Sequence, residues 1–207
     1  MNHSENILYS FRRCPFAIRA RMALSYADAQ YQHREILLKN KPQSMLDYSK
    51  KATVPVLVTN GSVIDESLDV MQWALSINDK DNWLLKDNQN KKTEMLGLID
   101  ICDNQFKPVL DLYKYSDRHI FSEIYYRDQT LWFIELLNSK LKENKYLFSS
   151  HISLADIAIF PFIRQYAFVN KKWFDETLYT YLINWLNRLL SSELFIKIMI
   201  KHKLWVD

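Results

Sequence analysis

Glycine is nearly missing from this chain of 207 residues, which has two, with two cysteines and five prolines. Two glycines leave no room for a G-x-G-x-x-G or G-x-x-x-x-G-K loop, so a phosphate cradle of glycine backbone is excluded. Two cysteines cannot form a disulfide framework, and a reducing, cytoplasmic compartment is the default expectation. A dominant charge is missing too. Lys and Arg outnumber Asp and Glu by 27 to 24, a balance too weak to imply a nucleic-acid partner. No run of about 18 apolar residues occurs, so no transmembrane segment is expected. Residues 1 to 6 lack the basic and apolar regions of a signal peptide. His3, His33, His119, His151 and His202 are scattered without metal-ligand spacing, and no metal is expected. What is plentiful is apolar side chain, at 48%, enough for a core in one large domain or two small ones.

The chain changes character near residues 79 to 92. Polar runs there flank the short apolar piece Trp83-Leu84-Leu85 and mark a linker at 81–87, between domains at 1–80 and 88–207. In the first domain Ile7–Ser10 suggests a strand, and residues 15–26 carry Phe16, Ala20, Ala23 and Leu24 at helical spacing. Pro15 suits a first helical position, where its missing N–H is no loss. A strand across Tyr31–Ile36, a helix opened by Pro42 and a β-branched strand at Val54–Thr59 follow. Asn60-Gly61 is a strong hairpin signal, then come a strand at Ser62–Asp65 and a helix at Ser67–Ile77. The order is β-α-β-α-β-β-α. After the linker the patterns are helical only. One stripe runs through Met95, Leu98, Ile99, Cys102, Phe106, Val109 and Leu110, and another through Ile124, Leu131, Ile134 and Leu137–Leu141. Three more cover residues 153–169, 178–190 and 193–200. Gly97 lies inside a helix, where close helix packing would account for it.

Cys14 follows a strand and directly precedes a helix that begins with Pro15. The unpaired N–H groups and positive dipole end of a helix N-terminus favour thiolate over thiol. Arg12, Arg13, Arg19 and Arg21 add positive charge, some of it directed to solvent. A small buried cysteine would be the ordinary reading; strand–Cys–Pro–helix followed by a β-β hairpin points instead to a nucleophile. The fourth position of Cys14-Pro15-Phe16-Ala17 is not cysteine, so no internal disulfide can close there. A resolving thiol must come from outside, and a small abundant thiol is the simplest source. Cys102, on an apolar stripe, is expected to be an inert core residue. Tyr9 and Ser10 lie near Cys14; a hydroxyl activating an external thiol would imply conjugation, but scaffold roles fit their placement better. Lys39, Lys41, Lys50 and Lys51 suggest a solvated basic face. Ser153 and Asp156 form an S-x-x-D capping box flanked by Ile152 and Ile157, and Pro161 is expected to kink the helix that follows. Asp28 is the residue best able to turn the chain after the first helix. Aromatic side chains of the helical half could line an apolar pocket facing Cys14.

Cys14-Pro15-Phe16-Ala17, Leu38-Lys39-Asn40-Lys41-Pro42, Thr53-Val54-Pro55-Val56-Leu57, Asp65-Glu66-Ser67 and Ile152-Ser153-Leu154-Ala155-Asp156-Ile157, in this order, resemble the glutathione S-transferase superfamily. The likeness is to its cysteine-type members, the omega, dehydroascorbate reductase and glutaredoxin-like groups. It implies a thioredoxin-like α/β domain followed by an all-α bundle, and glutathione as co-substrate. Cys14 would be the catalytic residue, in a glutathione-dependent thiol transferase or reductase acting on mixed disulfides or dehydroascorbate-type substrates. Pro55 would be the family's cis-proline and Val54 its backbone contact to glutathione, although on sequence alone a trans proline at a strand start is the favoured reading. Glu66 would accept the γ-glutamyl ammonium. Ser67, capping its helix, would receive the carboxylate. Lys41 would meet the glycyl carboxylate, with Phe16 beside them. A homodimer is the family expectation. The same scaffold also serves non-enzymatic or membrane-associating proteins and glutathione-conjugating transferases, which remain alternatives.

Overall fold

The computed structural model describes residues 6–207; His3 lies outside them. The chain forms two compact units. One holds the residues up to Asp79 together with Ser192–Asp207, and the other is Lys80–Ser191. The sequence boundaries had put the last sixteen residues with the helical domain because they continue its helical periodicity. Their partners decide otherwise, as described below.

In the first unit, β1 (Ile7–Ser10), α1 (Pro15–Tyr26), β2 (Gln32–Glu35), α2 (Gln43–Tyr48), β3 (Val56–Thr59), β4 (Ser62–Ile64) and α3 (Ser67–Ile77) follow in the expected order. The sheet is mixed, ordered β2-β1-β3-β4. Strand β1 runs parallel to β2 with Ile7 opposite Gln32, and antiparallel to β3 with Leu8 opposite Leu57. Strands β3 and β4 close a two-residue hairpin in which Asn60 and Gly61 have φ of 46° and 78°. Two consecutive positive φ values define the turn whose twist matches the strands, which is why Asn-Gly marks it. Asp28 turns the chain after α1 with φ 54°, as a short polar side chain allows. Tyr9, Ala17, Ile36, Met45, Val54, Val56 and Val58 form an apolar cluster against which Phe11, Cys14 and Trp205 pack.

The last helix, α11 (Glu193–Ile198), and the extended residues after it belong to this unit. Leu204 bridges Glu35 in parallel, and the Trp205 N–H donates to the Glu35 carbonyl at 2.7 Å. The Arg34 guanidinium lies 3.8 Å from the Trp205 ring centre, and His202 stacks on His33 at 4.0 Å. The segment thereby covers the outer edge of β2, a row of backbone groups otherwise open to another chain.

The second unit is helical: α4 (Gln89–Ile101), α5 (Lys107–Lys114), α6 (Glu123–Asp128), α7 (Leu131–Glu143), α8 (Leu154–Ala167), α9 (Lys171–Asp175) and α10 (Thr180–Leu190). Between α4 and α5 one wide π-type turn, Cys102–Phe106, carries a bond from the Lys107 N–H to the Cys102 carbonyl. Pro108 follows it, with no N–H for a regular ladder, and the insertion keeps Phe106 and Leu110 buried. Ile124, expected on a buried stripe, is 57% exposed. The stripe fails because the chain breaks between α6 and α7, where the Thr130 hydroxyl donates to the Arg127 carbonyl. A Cβ on Gly97 would meet nothing within 4 Å among the described residues, so close packing does not account for that glycine. Asp156, wholly buried, accepts hydrogen bonds from the N–H groups of Ser153 and Leu147, the Ser153 hydroxyl and Trp185 Nε1, at 2.7–2.9 Å. Burial pushes its carboxyl pKa up, against the pull of those four donors. No helix among the described residues is long and apolar enough to cross a membrane.

Candidate functional site

Strand β1 ends in Ser10, and a three-residue loop leads to Cys14, the N-cap of α1, with φ −70° and ψ 123°. The loop is short enough to need holding, and two buried charges hold it. Arg21, one and a half turns into α1, sends Nη1 to Ser10 Oγ at 2.5 Å and Nη2 to the Arg12 carbonyl at 2.8 Å. Its Nε reaches the Ile198 carbonyl at 3.3 Å. Glu35, at the end of β2, accepts from the Arg12 N–H at 2.6 Å and pairs with His33 Nε2 at 3.1 Å. Burial alone would raise the Glu35 pKa. The hydrogen bonds from His33 and Arg12, with the charges of His33 and Arg21, outweigh it and hold the carboxyl below its ordinary value. Of the four arginines Arg13 is the one turned to solvent, while Arg19 and Arg21 are both 2% exposed. Helix α1 is covered on several sides, and each guanidinium found carbonyl or hydroxyl partners inside.

The Cys14 sulfur is half-buried and donates to the Val54 carbonyl at 3.7 Å. The Val54–Pro55 peptide is cis. No side-chain oxygen caps α1, so the thiol stands where a capping oxygen would. The neighbouring hydroxyls are engaged in the scaffold. Buried Tyr9 donates to Ser44 Oγ at 2.9 Å and accepts from Arg34 Nη1 at 2.6 Å, while Ser10 accepts from Arg21. Ser44 in turn donates its N–H to Asp207 Oδ2 at 2.9 Å.

A second group forms at the start of α3. Its N-cap is Glu66, not Ser67, and Glu66 makes no side-chain cap bond. Ser67 is the first helical residue, 3% exposed, and its oxygen accepts from Arg19 Nε at 3.0 Å. The expected capping role of Ser67 is therefore corrected: one residue inside the helix, its hydroxyl is oriented by a buried arginine. The same Arg19 lies 5.1 Å from the centre of the Phe16 ring. Asp65 accepts from Ser49 Oγ at 2.6 Å and from Lys51 Nζ at 3.0 Å, and Lys51 also reaches Glu66 Oε1 at 2.6 Å. Lys51 is exposed, as a solvated basic face requires, and is at the same time the counter-ion of two carboxylates.

The structure thus joins Cys14 to Val54, and Phe16 to Ser67 through Arg19, with Glu66 adjoining Ser67. It does not tie Lys41 to them: half-buried Lys41 precedes α2 and makes no hydrogen bond or ion pair with this group. Ser49 and Lys51 were missed as site residues because their partners lie fourteen or more positions away; Asp65, adjacent to Glu66, was the one signal available. Cys102 is fully buried in the π-type turn. Among the described residues no three His, Cys, Asp or Glu side chains are grouped to hold a metal ion.

Two family models match, "Glutathione S-transferase, N-terminal domain" over residues 8–83 and "Glutathione S-transferase, C-terminal domain" over residues 133–188. Together they cover more than half the chain. The Arabidopsis thaliana protein named glutathione S-transferase U22 is 24% identical over 157 residues, 75% of this chain and 71% of its own. A maleylacetoacetate isomerase of Dictyostelium discoideum is 27% identical over 117 residues, 54% of this chain and 53% of its own. Among solved structures, glutathione transferase Omega 3C from Trametes versicolor superposes with a TM-score of 0.81 at 18% identity, covering 97% of this chain and 91% of that one. At that identity the likeness is one of fold.

Proposed function

The chain belongs to the glutathione S-transferase superfamily, and from there we propose that it is a glutathione-dependent thiol transferase or reductase whose single nucleophile is Cys14. One observation carries this reading. The hydroxyls that could activate an external thiol, on Tyr9 and Ser10, are fully buried and bonded within the scaffold to Arg34, Ser44 and Arg21. The Cys14 sulfur instead stands at the start of α1 beside the Val54 carbonyl.

The Cys14 thiolate attacks a sulfur of a glutathionyl mixed disulfide. A bond forms between the Cys14 sulfur and the glutathione sulfur, the old disulfide breaks, and the substrate leaves as its thiolate. Ala17, fully buried, offers no second thiol. A glutathione thiolate therefore attacks the adduct, releasing oxidised glutathione and restoring the Cys14 thiolate. An electrophilic carbonyl of the dehydroascorbate type is the other substrate class this nucleophile suits. Glutathione lies with its cysteinyl backbone on Val54 beside Pro55, near Phe16. The Ser67 oxygen accepts from Arg19, and the hydroxyl keeps its own proton to donate to the γ-glutamyl carboxylate. The N–H groups at the start of α3, without a side-chain cap, add to that pull. Glu66 takes the γ-glutamyl ammonium and Lys41 the glycyl carboxylate. A lone reactive thiol that works with reduced glutathione suits the cytoplasm, and a homodimer is the expected working form.

The test is the Cys14→Ser variant. Thiol transfer should fall at least about a hundredfold while glutathione still binds; near-full activity would overturn the reading. Incubation of the native chain with oxidised glutathione should add one glutathionyl group, on Cys14 and not on Cys102, with one equivalent of glutathione released. Conjugation of a halonitroarene surviving Cys14→Ala would assign the chain to conjugating chemistry instead, and stable vesicle binding without turnover would favour a non-enzymatic role.

A further inference from the structure

We propose that Lys51 is a resident occupant of the ammonium position at the start of α3, so that the α-ammonium of an incoming γ-glutamyl ligand must displace it. The inference rests on the reading that this site holds glutathione, and it names a residue that sets which γ-glutamyl ligands the site prefers.

Lys51 Nζ lies 2.6 Å from Glu66 Oε1 and 3.0 Å from Asp65 Oδ1. Two of its three N–H donors are thus engaged, one of them by the Glu66 carboxylate that the ligand ammonium would use. The two carboxylates differ in freedom. Asp65 is anchored on its other oxygen by Ser49, a buried residue, whereas the Glu66 side chain is 63% exposed. Lys51 reaches them from a turn in which Ala52 adopts φ 54° and donates its N–H to the Ser49 carbonyl at 3.3 Å. The Lys51 side chain is itself 50% exposed, so it can swing into solvent without unfolding anything. The charge balance gives the direction. With Lys51 in place the trio carries one net negative charge, and without it the pair carries two. Two ammonium groups about 4 Å apart repel even in water, so resident and ligand cannot share Glu66 without cost.

Removing Lys51 therefore has opposite consequences for two ligands that differ in a single group. Glutathione brings an ammonium. Its des-amino analogue, glutaryl-cysteinylglycine, brings only one carboxylate at that end. Lys51→Met should bind glutathione about three- to fivefold more tightly, the scale of one exposed ion pair, and should bind the analogue more weakly. Lys51→Arg keeps the cation and should keep the wild-type ratio of the two affinities. The contrast should shrink as salt is raised, because the competing groups are exposed.

The experiment is calorimetric titration of the wild type, Lys51→Met and Lys51→Arg with both ligands in reduced form. Thermal unfolding of each variant verifies the fold. A crossed response supports the proposal. If Lys51→Met weakens glutathione binding, Lys51 is a carboxylate contact and the proposal fails while the site reading stands. Equal shifts for both ligands also overturn it. Absence of glutathione binding by the wild-type chain overturns both readings at once.

Discussion

Helix α1 begins at Cys14, whose side chain makes no cap bond, whereas α8 begins at Ser153, where the Asp156 carboxylate reaches back to the Ser153 N–H and hydroxyl. Each start lies beside a buried carboxylate, used differently. Asp156 sits on α8 itself and ties that helix to Leu147 and Trp185. Glu35 sits on β2 and grips the loop before α1 through the Arg12 N–H, leaving the helix end alone. The pattern extends beyond these two. Asn88, Ser122 and Asn170 accept cap bonds at α4, α6 and α9 of the second unit, where α5, α7 and α10 have none, and Ser192 accepts one at α11 of the first. Residues Cys14, Pro42 and Glu66, which open the three helices that follow strands of the sheet, accept none. A side-chain cap stabilises a helix end by about 1 kcal/mol. Its omission at α1 and α3 leaves N–H groups for a thiolate and for a carboxylate, which is the use the proposed function makes of them.

The contrast is open to direct attack. Asp156→Ala strips four donors of one buried acceptor and should cost about 3–5 kcal/mol in urea unfolding. A loss under about 1 kcal/mol would mean that the α8 start does not depend on its carboxylate. Acid should expose the loop before α1. Because the Glu35 pKa is held below its ordinary value of 4.5, its contribution is complete above that value and disappears as pH falls through the lower, folded-state value. Stability of the wild type should therefore decline more steeply than that of Glu35→Gln as pH falls below 4.5. Parallel profiles would remove Glu35 from the account. The smallest effect is the most pointed. Serine is among the best N-caps, so Cys14→Ser should raise stability by about 0.5–1 kcal/mol, while the proposed chemistry is lost. A destabilised Cys14→Ser would show that the thiol at α1 is needed for packing.

Much of this was visible in the residue string where local chemistry decides the outcome. Pro15 at a first helical position, positive φ at Asp28, the Asn60-Gly61 turn and the Ser153–Asp156 pair each follow from one or two residues. So does most of the strand and helix order of the first unit, although Gln32–Glu35 carries no apolar alternation to mark it. What stayed hidden depends on distant partners. Which of the four arginines turn inward depends on a hydroxyl from α3, brought to Arg19, and on carbonyls from Ile198 and Arg12, brought to Arg21. Lys51 looks solvated until the chain returns at Asp65. Ser67 was placed at the site but one helical position early, since Glu and Ser at a helix start are hard to order without backbone angles. The wide turn at Cys102–Phe106 keeps an apolar stripe alive past Pro108, and an ideal helical period cannot reveal an inserted residue.

The return of Ser192–Asp207 to the sheet also orders events during synthesis. The residues on either side of Lys80–Ser191 belong to one unit, so a ribosome must thread the whole helical stretch before Leu204 and Trp205 can meet Glu35. At ordinary elongation rates that interval is on the order of ten seconds. Throughout it the outer edge of β2 is uncovered, and Arg21 lacks its Ile198 carbonyl partner. The nascent sheet is thus most exposed to chaperones, or to pairing with a neighbouring chain, while the helices are being made. The thiol-bearing turn receives its last brace only once Ile198 has been made.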